Sequence, residues 1–143
     1  MTVEHILQGK GRSVVTIEPE RTIGEAARLL AERKIGAVII CDKFRPVLGI
    51  LSERDIVYAL ATRGASALDE PVSNAMTRKV ISCTGHSHIN ELMEMMTDGK
   101  FRHVPVIEEG QLTGIVSIGD IVKHRLAEVE AETQAMRDYI ATA

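Results

Sequence analysis

The sequence predicts a mixed α/β (α+β) fold in which one β-α-β-β-α unit occurs twice and a C-terminal helix follows. The most direct observation is a repeated motif, since residues 49–57 match residues 114–122 at six of nine positions. The aspartates of the two motifs, Asp55 and Asp120, lie 65 residues apart. The segments before the motifs share a helical spacing and a pair of short apolar runs. Because repetition at a fixed period marks a repeated structural unit, two copies are expected.

A helix with one apolar face is predicted in each copy. Its apolar residues recur at positions i, i+3, i+4 and i+7, the spacing of an amphipathic helix. They are Ile23, Ala26, Ala27 and Leu30 in the first copy, and Ile89, Leu92, Met93 and Met96 in the second. Thr22 and Glu25 resemble a capping box at the start of the first helix. Gly36 and Gly99 stand where a left-handed helix ending would favour glycine.

A hairpin of two buried strands is predicted after each helix. The apolar runs there are too short for helices and rich in β-branched residues, and polar turns separate them. The strands are expected at residues 37–41 and 47–51 in the first copy, and at 104–107 and 112–116 in the second, with short leading strands at 14–17 and 80–82. The resulting boundaries are repeat 1 at 12–60, a linker at 61–75, repeat 2 at 76–125 and a helical extension at 126–143.

Composition limits the classes of function. The chain has 143 residues, a formal net charge of −3 and 3% aromatic residues, so neither nucleic acid nor an anionic membrane is an expected partner. It contains no apolar run of the roughly 20 residues that a membrane span needs. The first ten residues lack the pattern of a secretory signal, so the cytoplasm is the expected location. Cys41 and Cys83 are expected to be reduced thiols there.

The repeated motif places glycine, serine and aspartate where a buried strand turns into a helix. Its glycine permits close backbone approach. A carboxylate has two acceptor oxygens that suit the adjacent hydroxyls of a ribose, so Asp55 and Asp120 are candidate ribose ligands. Ser52 and Ser117 can donate to ribose or phosphate, and the first amides of the next helix suit a phosphate. The alternative is that each Ser–Asp pair caps its helix.

These motifs resemble those of the cystathionine-beta-synthase (CBS) domain family over about residues 12–125. The resemblance implies that the repeats pack around a pseudo-twofold axis into one module with two clefts. It implies a non-catalytic regulatory module that binds AMP, ATP or NAD(H) and acts on a partner protein in trans, without a catalytic cofactor. S-adenosylmethionine carries the same adenosine, so the motif does not choose among these ligands.

The resemblance also assigns residues to the nucleotide site. It places the ribose-binding acid at Asp55 and Asp120 and the hydroxyl at Ser52 and Ser117. The backbone that frames adenine corresponds to Ala37, Val38 and Ile39 in the first copy and to His103 and Pro105 in the second, and Thr16 and Ser82 correspond to further nucleotide contacts.

The two copies differ beside the motif, so their sites need not bind alike. Residues 36–37 in the first copy correspond to Arg102 and His103 in the second, which gives the second copy a cationic pair for phosphate. Conversely, Arg54 in the first copy corresponds to Gly119. Because the repeats face each other, either basic group could serve the opposite cleft. The alternative for the pair is a solvent-facing arginine and a packed histidine.

Three other functions compete with nucleotide binding. Cys83, His86 and His88 could ligate zinc, but three candidate ligands without a second cluster are a weak signal. Neither a Cys/His arrangement nor a Gly-x-Ser-x-Gly elbow indicates an enzyme, and no catalytic residues are predicted. A structural interaction and dimerisation module with empty clefts is the remaining alternative.

The C-terminal segment predicts a helix that requires a partner. Its apolar residues are separated by alternating steps of four and three, the 3.5-residue period of a helix seam. We define the apolar stripe as Val122, Leu126, Val129, Thr133, Met136 and Ile140. Together with the family resemblance, the apolar stripe predicts a homodimer. The alternative is that it folds back on its own module.

Overall fold

Two small sheets organise the chain, one in each copy of the predicted unit. The computed structural model describes residues 1–142. Its strands are β1 (Thr16–Ile17), β2 (Ala37–Ile40), β3 (Gly49–Ser52), β4 (His103–Glu108) and β5 (Gln111–Ser117). Its helices are α1 (Val3–Lys10), α2 (Ile23–Arg33), α3 (Glu53–Arg63), α4 (Ile89–Gly99) and α5 (Ile118–Thr142), with two short 3-10 helices at Ala65–Asp69 and Val72–Asn74. The predicted mixed α+β class and C-terminal helix are confirmed.

The first unit is a three-stranded sheet covered by α2 and α3. β1 runs parallel to β2, and β2 pairs antiparallel with β3. Thr77 extends this sheet, because it exchanges backbone hydrogen bonds of 3.0 and 2.8 Å with Ile50. The core is apolar and includes Ile17, Ile23, Ala26, Leu30, Val38, Ile40, Leu51, Ile56 and Met76. The apolar face predicted for α2 is therefore buried as expected.

The second unit has a two-stranded sheet formed by the β4–β5 hairpin. The predicted leading strand at residues 80–82 is wrong. Within the described chain, this segment contributes one parallel bridge, from the next residue Cys83 to Val106. The chain turns away after that bridge because the carbonyl groups of Gly85 and Ser87 accept hydrogen bonds from the first amides of α1.

The helix ends correct two details of the sequence interpretation. α2 and α4 are each followed by a left-handed lysine, Lys34 at φ 55° and Lys100 at φ 57°. The prediction that Gly36 and Gly99 take this conformation is therefore wrong. Gly36 instead leaves room for the His103 ring, because a β-carbon there would lie 3.3 Å from it, a tight contact.

At the start of α2, half of the predicted capping box forms. The Thr22 hydroxyl accepts a hydrogen bond of 3.0 Å from the Glu25 amide. The Glu25 carboxylate accepts from the Arg21 guanidinium at 2.9 Å, since that cation is the stronger donor.

Helix α1 was not apparent from the sequence pattern. Val3, Ile6 and Leu7 are buried in the core of the second unit, whereas the segment that joins the units contributes Val72 and Met76 to the first core. Each core is thus completed by a segment from outside its own β-α-β-β-α series, the N-terminal helix for the second core and the linker for the first. An eight-residue helix gives too short a periodic signal to stand out in a single sequence.

Helix α5 runs without a break from the second motif to the end of the described chain. Ile121 is its buried residue, while the apolar stripe is exposed, with Val122 at 47% and Ile140 at 67%. The stripe therefore does not fold back on its own module. Among residues 1–142, no helix combines the length and apolar character required to cross a membrane.

Candidate functional site

The two motif aspartates lie in two clefts, each lined by both units. The Asp55 cleft has a volume of about 300 Å³ and includes residues 99–103 from the second unit. The Asp120 cleft has a volume of about 370 Å³ and joins the second motif to Lys10 and to residues 34–37 of the first unit. A ligand in either cleft would contact both repeats.

The first motif fixes the Asp55 carboxylate by capping α3. The Ser52 hydroxyl accepts from the Asp55 amide at 3.3 Å. In return, Asp55 Oδ2 accepts from the Ser52 amide at 2.9 Å and from its hydroxyl at 3.1 Å. The other carboxylate oxygen, Oδ1, lies 3.4 Å from the Thr77 hydroxyl, which donates to it. One oxygen is thus committed to the cap, and the other contacts a neutral hydroxyl.

The second motif caps α5 in the same way but has an additional partner. Asp120 Oδ2 accepts from the Ser117 amide at 2.9 Å, and the Ser117 hydroxyl accepts from the Asp120 amide at 3.1 Å. The Lys10 ammonium donates to the same Oδ2 at 2.7 Å and to the Ile115 carbonyl at 2.9 Å. The capping interpretation is therefore confirmed in both copies, and ribose binding by the same carboxylates stays a prediction.

The partners of Asp120 keep it ionised. Burial raises the pKa of this carboxyl group, but the hydrogen bonds from Lys10 and from the Ser117 amide oppose burial, and the pKa is lowered from its usual value. A carboxylate that accepts several charge-assisted or amide hydrogen bonds is stabilised in its charged form.

The motif glycines accommodate protein segments. A β-carbon on Gly49 would lie 2.7 Å from the Met76 sulfur and 2.8 Å from the Thr77 carbonyl oxygen. A β-carbon on Gly114 would lie 2.8 Å from a methyl carbon of Leu7. Close approach at these glycines is confirmed, and the groups that approach are the two segments that complete the cores.

His103 lies between the clefts and lines both of them. Its ring packs against Gly36, and burial lowers the pKa of the imidazole. Lys10 and Arg102 lower this pKa further, and nearby acids, Asp120 first, oppose them. The neutral imidazole is therefore favoured in the unliganded protein. Arg102 is exposed and His103 is half-buried, as the alternative interpretation of this pair predicted.

A cationic edge borders the Asp55 cleft. It consists of Arg54, from the first unit, and Lys100 and Arg102, from the second. The Arg54 guanidinium donates to the Lys100 carbonyl at 3.2 Å and so links the two units. The basic pair of the second copy thus lies at the cleft of the opposite motif, which is the arrangement expected for repeats that face each other.

Six predicted site residues lie outside the lining of both clefts. Thr16, Ser82 and Gly119 are exposed, and Val38, Ile39 and Pro105 are buried within strands. Conversely, Lys10 and Thr77 contact the motif aspartates without having been predicted. Lys10 lies 110 positions from Asp120, and a single sequence carries no signal that joins two such distant residues.

Cys83 has the properties of a structural thiol. It is 7% exposed, and burial, followed by the charge of Glu108, raises its pKa to about 11. A protonated thiol is a poor metal ligand and nucleophile. Within residues 1–142, no three His, Cys, Asp or Glu side chains are grouped in an arrangement that could hold a metal ion.

The sequence profile of the CBS domain family matches residues 10–62 and 72–127, and the chain belongs to this family. It is 37% identical over 111 residues to an uncharacterized 17.7 kDa protein of Acidianus ambivalens, covering 77% of this chain and 66% of that protein. It is 28% identical over 120 residues to CBSCBSPB5 of Arabidopsis thaliana, covering 84% of this chain and 22% of the plant protein. The chain therefore spans two thirds or less of these two relatives.

Solved structures share the fold over most of the chain. A CBS-domain containing protein from Agrobacterium tumefaciens is 53% identical, with a TM-score of 0.85, over 87% of this chain and 99% of that one. A CBS domain pair in complex with 5′-methylthioadenosine and S-adenosyl-L-methionine is 26% identical, with a TM-score of 0.79, over 90% and 98%. A CBS domain protein from Pyrobaculum aerophilum complexed with AMP is 28% identical, with a TM-score of 0.76, over 93% and 99%.

Proposed function

We propose that this chain is a non-catalytic, cytoplasmic regulatory module that binds an adenine nucleotide, AMP, ATP or NAD(H), and acts on a partner protein in trans. The observation that carries the proposal is the pair of clefts, each with a capped motif aspartate and each lined by both repeats. Similar CBS structures that contain AMP or S-adenosylmethionine support an adenosine-containing ligand.

The Asp55 cleft has the chemistry for each part of a nucleotide. The Oδ1 oxygen of Asp55 can accept from ribose hydroxyls in place of Thr77, because that neutral contact is long. The exposed guanidinium groups of Arg54 and Arg102 suit a phosphate. Ile50 and Phe101 provide apolar surface for the adenine ring.

Calorimetric titration with AMP, ATP and NAD(H) tests this function. Asp55→Asn keeps an acceptor for the cap but removes the charge, so we expect nucleotide binding to weaken by about 10- to 100-fold. Asp98→Asn, at an exposed position of α4, is the matched control and should bind like the wild type. Equal affinities for all three proteins would rule out Asp55 as the ribose ligand.

A second function is favoured by the exposed apolar stripe. On α3, Val57, Tyr58 and Leu60 are exposed as well. Together these surfaces support a homodimer, with a second copy of the chain covering the stripe. If neither cleft binds a nucleotide, the module instead acts through this interface alone.

Sedimentation equilibrium tests the homodimer. Leu126→Ser combined with Val129→Ser should shift the protein toward monomer while leaving AMP affinity nearly unchanged, because these residues lie outside the lining of both clefts. Glu130→Ser combined with Glu132→Ser is the control on the charged positions of the same helix. A wild-type monomer at micromolar concentration, with or without AMP, would contradict the dimer.

A further inference from the structure

Lys10 distinguishes the Asp120 cleft from the Asp55 cleft. Its ammonium group is held by two oxygens, Oδ2 of Asp120 at 2.7 Å and the Ile115 carbonyl at 2.9 Å. The side chains of Lys10 and Asp120 are 32% and 23% exposed, so this ion pair is partly withdrawn from solvent. The contact therefore lies inside the cleft, at the carboxylate that would hold a ribose.

The first copy has no equivalent cation. The position 65 residues after Lys10, the spacing that separates Asp55 from Asp120, is Ala75. Asp55 meets the neutral Thr77 hydroxyl at 3.4 Å instead. A charge-assisted hydrogen bond at 2.7 Å is considerably stronger than a neutral contact at 3.4 Å. Displacement of the existing partner is thus easy at Asp55 and costly at Asp120.

We propose that Lys10 acts as an internal occupant of the ribose-binding acid in the Asp120 cleft, so that an adenine nucleotide fills the Asp55 cleft first. This inference rests on the proposed nucleotide-binding function and deepens it. Oδ2 of each motif aspartate already accepts two hydrogen bonds, from the Ser52 amide and hydroxyl at Asp55 and from Lys10 and the Ser117 amide at Asp120, so the charged donor is what sets the Asp120 cleft apart. A ribose hydroxyl that uses this Oδ2 of Asp120 must displace a charged ammonium group, whereas the donors at Asp55 are neutral.

The position of Lys10 makes it a suitable target for substitution. It is the last residue of α1, whose Val3, Ile6 and Leu7 side chains remain buried in the second core. The hydrogen bond from the Ser117 amide that holds Asp120 in the cap does not involve the lysine. Lys10→Met therefore removes the occupant without removing the elements that hold the helix or the carboxylate.

The experiment is calorimetric titration of the full chain with AMP. The wild type should bind one AMP per chain, and Lys10→Met should bind a second, with affinity at that site improved about 10- to 100-fold. Lys10→Arg keeps a cation and should retain the single site. Arg12→Met is the matched control, because Arg12 pairs with Glu4 and should not change the stoichiometry. The double variant Asp55→Asn with Lys10→Met should bind AMP only at the Asp120 cleft.

The possible failures are distinguishable. Two equal AMP sites in the wild type, unchanged in Lys10→Met, would overturn the inference and leave the proposed function intact. If neither protein binds AMP, ATP or NAD(H), the proposed function fails, and this inference fails with it. Circular dichroism of Lys10→Met should match the wild type, and a folded variant that still binds one AMP would also overturn the inference.

Discussion

The two halves of the chain carry the same motif, yet they give it different surroundings. Asp55 faces a cleft with a cationic edge and a weakly held carboxylate oxygen, whereas Asp120 is paired with Lys10. The motif itself does not produce this difference, because Ser52 and Ser117 cap their helices with the same reciprocal pair of amide hydrogen bonds. Part of the difference comes from residues outside each motif's own repeat, Lys10 at Asp120 and Thr77 at Asp55. The rest comes from the cationic edge at the Asp55 cleft, whose residues lie within the repeats. The same local geometry, repeated within one chain, can therefore form two unequal sites.

The largest expected loss of stability comes from truncating a buried side chain in a segment that completes one of the cores. Leu7 is 1% exposed in the second core, and Leu7→Ala should lower the free energy of unfolding by about 2–5 kcal/mol. Met76→Ala, in the first core, should fall near the lower end of that range, because Met76 is 9% exposed. Urea unfolding measures both. Phe44→Ala, at an 88% exposed position, is the control. If Leu7→Ala lowers the free energy of unfolding no more than Phe44→Ala does, α1 is not part of the second core.

An intermediate effect is expected at the motif glycines. Gly49→Ala brings a methyl group against the Thr77 carbonyl at 2.8 Å, and this backbone group cannot move away easily. We expect it to cost about 1–3 kcal/mol. Gly114→Ala should cost less, because the atom it meets is the flexible end of Leu7. Thermal unfolding of both variants gives the order, and the reverse order would contradict the packing described for the two segments.

The smallest effect concerns His103, which belongs to both clefts. Because burial lowers its pKa, the neutral form stabilises the folded state. That contribution is complete above the ordinary histidine value of about 6.5 and is lost as the pH falls through the lower folded-state pKa. From pH 7 to pH 5, the wild type should therefore lose more stability than His103→Gln. If the stabilities of the two proteins depend on pH in the same way, protonation of His103 does not destabilise the folded state.

Local patterns were sufficient for the repeated elements. The spacing of Ile23, Ala26 and Leu30 identified α2, and the short apolar runs identified the two hairpins, because periodicity and length are properties of contiguous sequence. The prediction of a strand at residues 80–82 was wrong because pairing depends on a distant partner, and this segment pairs with β4 only at the next residue, Cys83.

The sequence likewise predicted only some of the residues that line the two clefts. The motif located Asp55 and Asp120 and their serines, but the backbone positions assigned to adenine, such as Val38, proved to be fully buried in a strand. Lys10 and Thr77 were missed because tertiary packing alone brings them to the aspartates. Charge, burial and contacts across the units decide how each site differs, and none of these follows from the repeat.

The most direct test of two unequal nucleotide clefts is a methyl NMR titration with AMP on isoleucine-labelled protein. Ile50 lines the Asp55 cleft and Ile115 lines the Asp120 cleft, and Ile→Val substitution at each position assigns its signal. The Ile50 methyl signals should shift at low AMP concentration, while those of Ile115 respond only at higher concentration, or at low concentration in Lys10→Met. Ile115 responding first, or neither signal responding, would contradict the account.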